Sequence, residues 1–347
     1  MLRAIDGLGA VTITDWWPVR ATVLAVTVLV VVLVLRFARR ITSILLATVL
    51  VAALVLANLV LAGNAYYGVY PTVATWLDGA PTPEPTGPTA LPATGQTVPV
   101  MIPGQRSGFA ARPALVHLPR AWFAQPRPSL PVVMLLHGTP GAPQEWIEAG
   151  AADQVSDAWA DRNGGSAPII VMPDVTGEAG FGVCADTGTG SVETYLTADV
   201  PAFVQAEFST PGPGPRWAVA GHSAGGSCAL TLALRHPDLF STVAAFGTTP
   251  GGADPDHDPA VLLAARGFPG VAAWLTDTDP PAGVTLQLDP LTRAAQIPTC
   301  RVLRTGAAPG LATWSLAFAD ALPWLSARLG LVAETPAMTA ACAVVSP

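Results

Sequence analysis

From residue 105 onward, short apolar runs of strand length alternate with segments of helical length, and this alternation restricts the possible folds more than any other feature. The runs are Ala114 to Leu118, Val132 to Leu136, Ile169 to Met172, Trp217 to Ala220, Val243 to Phe246, Val271 to Leu275 and Arg301 to Leu303. Helices are expected at Leu196 to Phe208, Ala224 to Arg235, Pro259 to Arg266 and Trp314 to Leu325. The runs are continuously apolar instead of alternating with polar residues, which requires a sheet covered on both faces. Strand and helix in turn predict an α/β domain with a doubly wound, mostly parallel sheet, spanning 105–347.

The N-terminal part obeys different rules. Hydrophobic residues make up 51% of the chain and charged residues 12%, too apolar for an ordinary soluble protein, so membrane spans are expected beside the globular part. Two apolar stretches, about 17–35 and 41–62, have the length of transmembrane helices, and apolar residues surround each on all sides. Arg36, Arg39 and Arg40 lie between them. Excess Arg marks the cytoplasmic side, which puts both ends of the pair outside. Residues 1–70 are thus expected to be a two-helix anchor in the plasma membrane, and 71–104 a Pro/Thr-rich linker. The α/β domain is then extracytoplasmic. Reading the second stretch as a signal peptide, cleaved after Gly63-Asn64-Ala65, exports the domain equally well. The net charge of −7 and the scattered Arg residues exclude a nucleic-acid footprint, which needs clustered positive charge.

Within the domain, Gly221-His222-Ser223-Ala224-Gly225 is a G-x-S-x-G run between an apolar strand and a small-residue helix. That context is the nucleophile elbow of a serine hydrolase, with Ser223 on a sharp turn. Ala224 begins the helix, whose N-terminal N–H groups suit a developing oxyanion. Upstream, His137-Gly138-Thr139-Pro140-Gly141 follows a buried strand. Thr139 N–H is the expected second oxyanion donor, since Pro140 has none to give.

These pieces, with Glu193-Thr194-Tyr195-Leu196-Thr197-Ala198-Asp199-Val200-Pro201, His257-Asp258-Pro259 and Leu322-Pro323-Trp324-Leu325, resemble the putative-esterase branch of the α/β-hydrolases, which includes esterase D and the antigen-85 mycolyltransferases. The resemblance covers about 105–330 and implies the α/β-hydrolase fold and a serine acyl-enzyme. It implies an acid just after the Val271 to Leu275 strand, at Asp279 or its neighbour Asp277. It also implies a histidine in the loop Gly306 to Trp314, where Pro309 stands instead and nothing accepts a proton. A disulfide between Cys184 and Cys228 is implied as well, because both flank the site in the family's arrangement. No cofactor is expected, and without CxxC or HxxxH spacing no metal site.

Another histidine would have to serve as base. His236 lies thirteen residues past Ser223 on one helix, about 20 Å away at 1.5 Å per residue. His117 is in an early strand, and the side chain of His222 diverges from its neighbour at an elbow. His257 remains, in a loop leaving the carboxyl edge of the sheet, where ligands bind in open α/β sheets. Two functions follow as expectations. One is a membrane-anchored serine esterase or acyltransferase acting on an acyl ester of the cell envelope. The alternative is a catalytically impaired relative that binds an envelope lipid, glycan or protein.

Overall fold

The computed structural model describes residues 21, 24–28, 49–59, 91–177, 184–188, 190–251, 254–342 and 345–346. The chain divides into two units, Met1–Pro81 and Thr82–Pro347. In the first, residues 24–28 and 49–59 are helical, and Asn58 Nδ2 donates to Thr27 Oγ1 at 3.2 Å. The expected spans at 17–35 and 41–62 fall largely outside the described residues. Among those described, no helix is long and apolar enough to cross a membrane.

The second unit is built on a sheet with strand order β1-β2-β4-β3-β7-β8-β9-β10-β11. Its strands are β1 (Gln96–Val100), β2 (Ala114–Leu118), β3 (Val132–Leu136), β4 (Ile169–Met172), β7 (Gly214–His222), β8 (Phe240–Phe246), β9 (Ala272–Asp279), β10 (Thr299–Thr305) and the two-residue β11 (Val345–Ser346). A separate small hairpin pairs β5 (Asp186–Thr187) with β6 (Gly190–Ser191). From β4 to β11 the main-sheet neighbours run parallel, whereas β1 and β2 join antiparallel. All seven expected strands are present in place.

Helices α1 (Glu145–Glu148), α2 (Ala152–Arg162), α3 (Val200–Phe208), α4 (Ala224–Arg235), α5 (Pro259–Ala265), α6 (Asp289–Ala294) and α7 (Leu311–Arg328) cover the sheet. Successive strand residues point to opposite faces, so each buried strand feeds two cores. Val132, Met134 and Leu136 pack with α3, α4 and α5 residues such as Val204, Leu230 and Leu263. Val133 and Leu135 face Trp159 of α2 and Phe318 and Leu325 of α7. The helix expected at Leu196 to Phe208 is divided: Tyr195–Asp199 is a π-helical turn, and α3 follows it.

The domain begins earlier than its sequence suggests. β1 lies inside the Pro/Thr-rich stretch 71–104 yet pairs with β2 from Gln96↔Leu118 to Val100↔Ala114. Pro99 is tolerated because β1 is the edge strand. Just ahead of it, Gly95 N–H donates to Asp157 Oδ1 of α2 at 2.8 Å. His117 Nε2 lies 3.2 Å from the same oxygen, and its Nδ1 lies 3.0 Å from Thr97 Oγ1. Burial alone would raise the Asp157 pKa, but the bonds from His117 and Gly95 outweigh it and hold the carboxyl below its ordinary range.

Two disulfides close the domain. Cys184 joins Cys228 on α4, the pairing the family resemblance implied, and Cys300 of β10 joins Cys342.

Candidate active site

The strand register brings the carboxyl ends of β3, β7, β8 and β9 together. Leu136 aligns with Gly221, His222 with Phe246, and Phe246 with Thr276. Ser223 sits between β7 and α4 with φ 53° and ψ −126°, a left-handed conformation that costs a non-glycine residue of order 1–3 kcal/mol. Its neighbours make the turn possible. A Cβ on Gly221 would stand 2.5 Å from Gly225 O, and one on Gly225 would stand 2.6 Å from Leu136 O. Only glycine lets β3, β7 and α4 approach this closely.

The loop after β3 runs across Ser223. A Cβ on Gly138 would be 3.4 Å from Ser223 Cβ and 2.8 Å from His222 Cε1. Thr139 follows, part exposed, and Ala224 opens α4 directly after Ser223. Among the described residues no hydrogen bond engages the N–H of Thr139 or Ala224, so both donors remain available to an acyl oxygen.

This loop is held from behind. His137 Nδ1 lies 2.7 Å from Gly138 O, and its Nε2 lies 3.1 Å from Val175 N and 3.3 Å from Asp174 Oδ1. Arg112 reaches Gly141 O, Asp174 Oδ1 and Thr176 Oγ1. Asp174 is fully buried. Burial would raise its pKa, but His137 and Arg112 together drive it far below the carboxylate range.

The two acid candidates differ sharply. Asp279 ends β9 exposed to solvent. Asp277 is fully buried, with Oδ1 accepting the N–H groups of Thr278, Ala282 and Gly283. Its Oδ2 is buried and has no partner among the described residues. The buried carboxylate at this edge of the sheet is therefore Asp277.

The structure does not bring His257 to Ser223. Its Nε2 lies 2.9 Å from Glu193 Oε2 and its Nδ1 lies 2.7 Å from Asp254 Oδ2. Its carbonyl accepts Thr231 Oγ1, eight residues beyond Ser223 in α4 and thus about 12 Å along the helix. Glu193 also receives Arg235 Nε at 2.6 Å and His236 Nε2 at 2.7 Å. His257 is a strut that fastens the loop after β8 to α4.

Burial would raise the Glu193 pKa, yet the bonds from His236, Arg235 and His257 push it well below the ordinary range. A depressed carboxylate pKa contributes stability that is complete above the unfolded value of about 4.3 and is lost as pH falls toward the folded value. Glu193→Gln is expected to flatten the acid limb. Its urea midpoint should vary less with pH below about 4.5 than that of the parent, and parallel pH curves would refute this.

All five histidines are engaged in this way. His117 pairs with Asp157, His137 with Asp174, His222 with Glu145, and His236 and His257 with Glu193. No imidazole bonds Ser223 Oγ among the described residues. In the loop expected to hold a histidine, Thr313 Oγ1 donates to Ala308 O at 2.6 Å. Trp314 packs on Gly247, which has φ 50°, so tightly that a Cβ there would collide with its ring.

Sequence reasoning did not find Glu145 and Glu193, because nothing local marks either carboxylate as the partner of a histidine more than forty residues away.

The family model described as "Putative esterase" matches residues 110–282. An uncharacterized protein of Corynebacterium glutamicum is 33% identical over 217 residues, covering 58% of this chain and 50% of the relative. The chain thus spans about half the length of that relative. Among solved structures, a ferulic acid esterase aligns with TM-score 0.59 and 20% identity, covering 68% of this chain and 98% of its own. An S-formylglutathione hydrolase from Agrobacterium tumefaciens aligns with TM-score 0.57 and 19% identity, covering 70% and 98%. At these identities the structural likeness speaks for the fold, an α/β-hydrolase.

Proposed function

Residues 110–282 belong to the Putative esterase branch of the α/β-hydrolases, and from that premise we propose that the domain binds an acyl ester at Ser223 and acylates there only slowly. The observation that carries this reading is that, among the described residues, none of the five imidazoles is hydrogen-bonded to Ser223 Oγ; their polar contacts run to other groups. The strained serine and the unspent N–H groups of Thr139 and Ala224 support a retained oxyanion site. What is missing, among the described residues, is an imidazole bonded to Ser223 Oγ that would take its proton. Nucleophile without base gives weak acyl chemistry at a retained oxyanion site.

The setting we propose is the outer face of the plasma membrane, with the two N-terminal apolar stretches as anchor. Two disulfides support an oxidising compartment. An ester of the cell envelope is the substrate class within reach of such a domain, as substrate or as bound ligand.

Treating the full chain with a fluorophosphonate probe tests the reading. Slow labelling is expected, lost in Ser223→Ala and unchanged in His257→Ala. Labelling that disappears from folded His257→Ala would make His257 a base and overturn the reading.

A further inference from the structure

Glu145 is 2% exposed, close behind the loop that crosses Ser223, and the scheme above gives it no role. Its Oε1 accepts Gly138 N–H at 2.8 Å and lies 2.6 Å from His222 Nε2. Gly138 N also lies 3.2 Å from His222 Nε2, but one nitrogen cannot both donate to Glu145 and accept from Gly138. The shorter bond decides the roles: His222 Nε2–H donates to Glu145, and Gly138 N–H goes to the carboxylate.

His222 is fixed in turn. Its ring stacks edge-on against Trp146 with centroids 5.1 Å apart, and Trp146 Nε1 donates to Leu136 O at 3.0 Å. His222 Nδ1 is buried with no partner among the described residues, so Glu145 supplies the ring's hydrogen-bond hold. One carboxylate oxygen thus ties the residue before the nucleophile to the residue before Thr139. Because Gly138 N–H is consumed, the next amide along the loop, that of Thr139, is the one left without a partner among the described residues.

We propose that Glu145, braced by His222, is the positioning residue of the oxyanion loop, setting the direction in which Thr139 N–H points at an acyl oxygen bound to Ser223. This rests on the acyl-ester reading of the site. Without Glu145, Gly138 N–H loses its buried acceptor and the loop can turn, which misaims a donor whose worth depends on placement within a fraction of an ångström. Glu145 touches no reacting atom, so its loss should slow acylation and leave probe binding alone.

The test separates those two quantities with a fluorophosphonate on the full chain. Glu145→Ala is expected to lower the maximal labelling rate about 10²-fold while the half-saturating probe concentration stays within about twofold. Glu145→Gln keeps an acceptor for Gly138 N–H and removes a negative charge near the oxyanion, so its rate should equal or exceed that of the parent. An unchanged rate in folded Glu145→Ala overturns the proposal. If Glu145→Ala does not fold, His222→Ala removes the brace alone. It should then slow labelling about threefold by the same loss of aim, and no slowing overturns the proposal.

Amide hydrogen exchange at Gly138 in the same variants gives a readout independent of acylation. Exchange at least about tenfold faster in Glu145→Ala, or in His222→Ala where that variant stands in, supports the positioning role, and unchanged exchange overturns it. Should the parent chain fail to label, the acyl-ester reading falls and the exchange measurement decides the role of Glu145 by itself.

Discussion

A chromogenic acyl ester is expected to be hydrolysed by the full chain about 10⁶-fold more slowly than by a complete serine triad, still about 10³- to 10⁴-fold faster than in water. Ser223→Ala should change that residual rate by less than about threefold, because triad members act as a unit and removing a second one costs little once the first is gone. The reason is that, among the described residues, none of the five histidines is hydrogen-bonded to Ser223. A steady-state assay of the parent and Ser223→Ala checks both statements. Turnover within about 10² of a full triad, or a collapse of about 10³ in Ser223→Ala, would mean that a base does reach the serine.

Breaking the Cys184–Cys228 bridge is expected to cost about 4 kcal/mol. The bridge spans 44 residues, and closing a loop of that length in the unfolded chain removes entropy worth that much at 25 °C in the chain-entropy model. For a domain of this size the melting temperature should fall by roughly 8–16 °C. Cys228 stands five residues beyond Ser223 on the elbow helix, so the loosened element is the one that presents the nucleophile. Melting curves of the parent and of Cys184→Ala/Cys228→Ala test it, and a shift below about 2 °C would show that packing alone holds the helix.

The fold was legible where the chain's own pattern decides structure. Val132 to Leu136 and Ile169 to Met172 are apolar throughout and appear as strands with those bounds, and Ala224 to Arg235 appears as the elbow helix. The edge strand Gln96–Val100 escaped notice because a Pro-containing stretch needs pairing to become a strand, and its partner lies about twenty residues on. α2 (Ala152–Arg162) escaped because its polar face masks the few residues, such as Trp159, that it buries.

The site divides along the same line. The elbow is a local matter of Gly221, Ser223 and Gly225, and its backbone was readable. The fate of the histidines depends on partners far along the chain, such as Glu193 for His257 and Glu145 for His222. The sheet edge offered His257 a plausible path to Ser223, but a buried carboxylate beside Arg235 and His236 holds it instead. For the acid, sequence pointed to a short stretch, and burial distinguishes Asp277 from Asp279 within it.

The way the chain enters the domain bears on how it would carry a mechanical load. A pull on the segment ahead of Gly95 meets the bond to Asp157 first and then β1, which is laced along its length to β2. Tension directed along β1 loads those ladder bonds in shear, sharing the force among them instead of opening them one at a time. The Ser223 elbow lies on β7, with β2, β4 and β3 between it and the loaded edge. Strain arriving from the segment ahead of Gly95 would thus be taken up at the rim of the sheet, and the Ser223 elbow would stay in register while that segment is under tension.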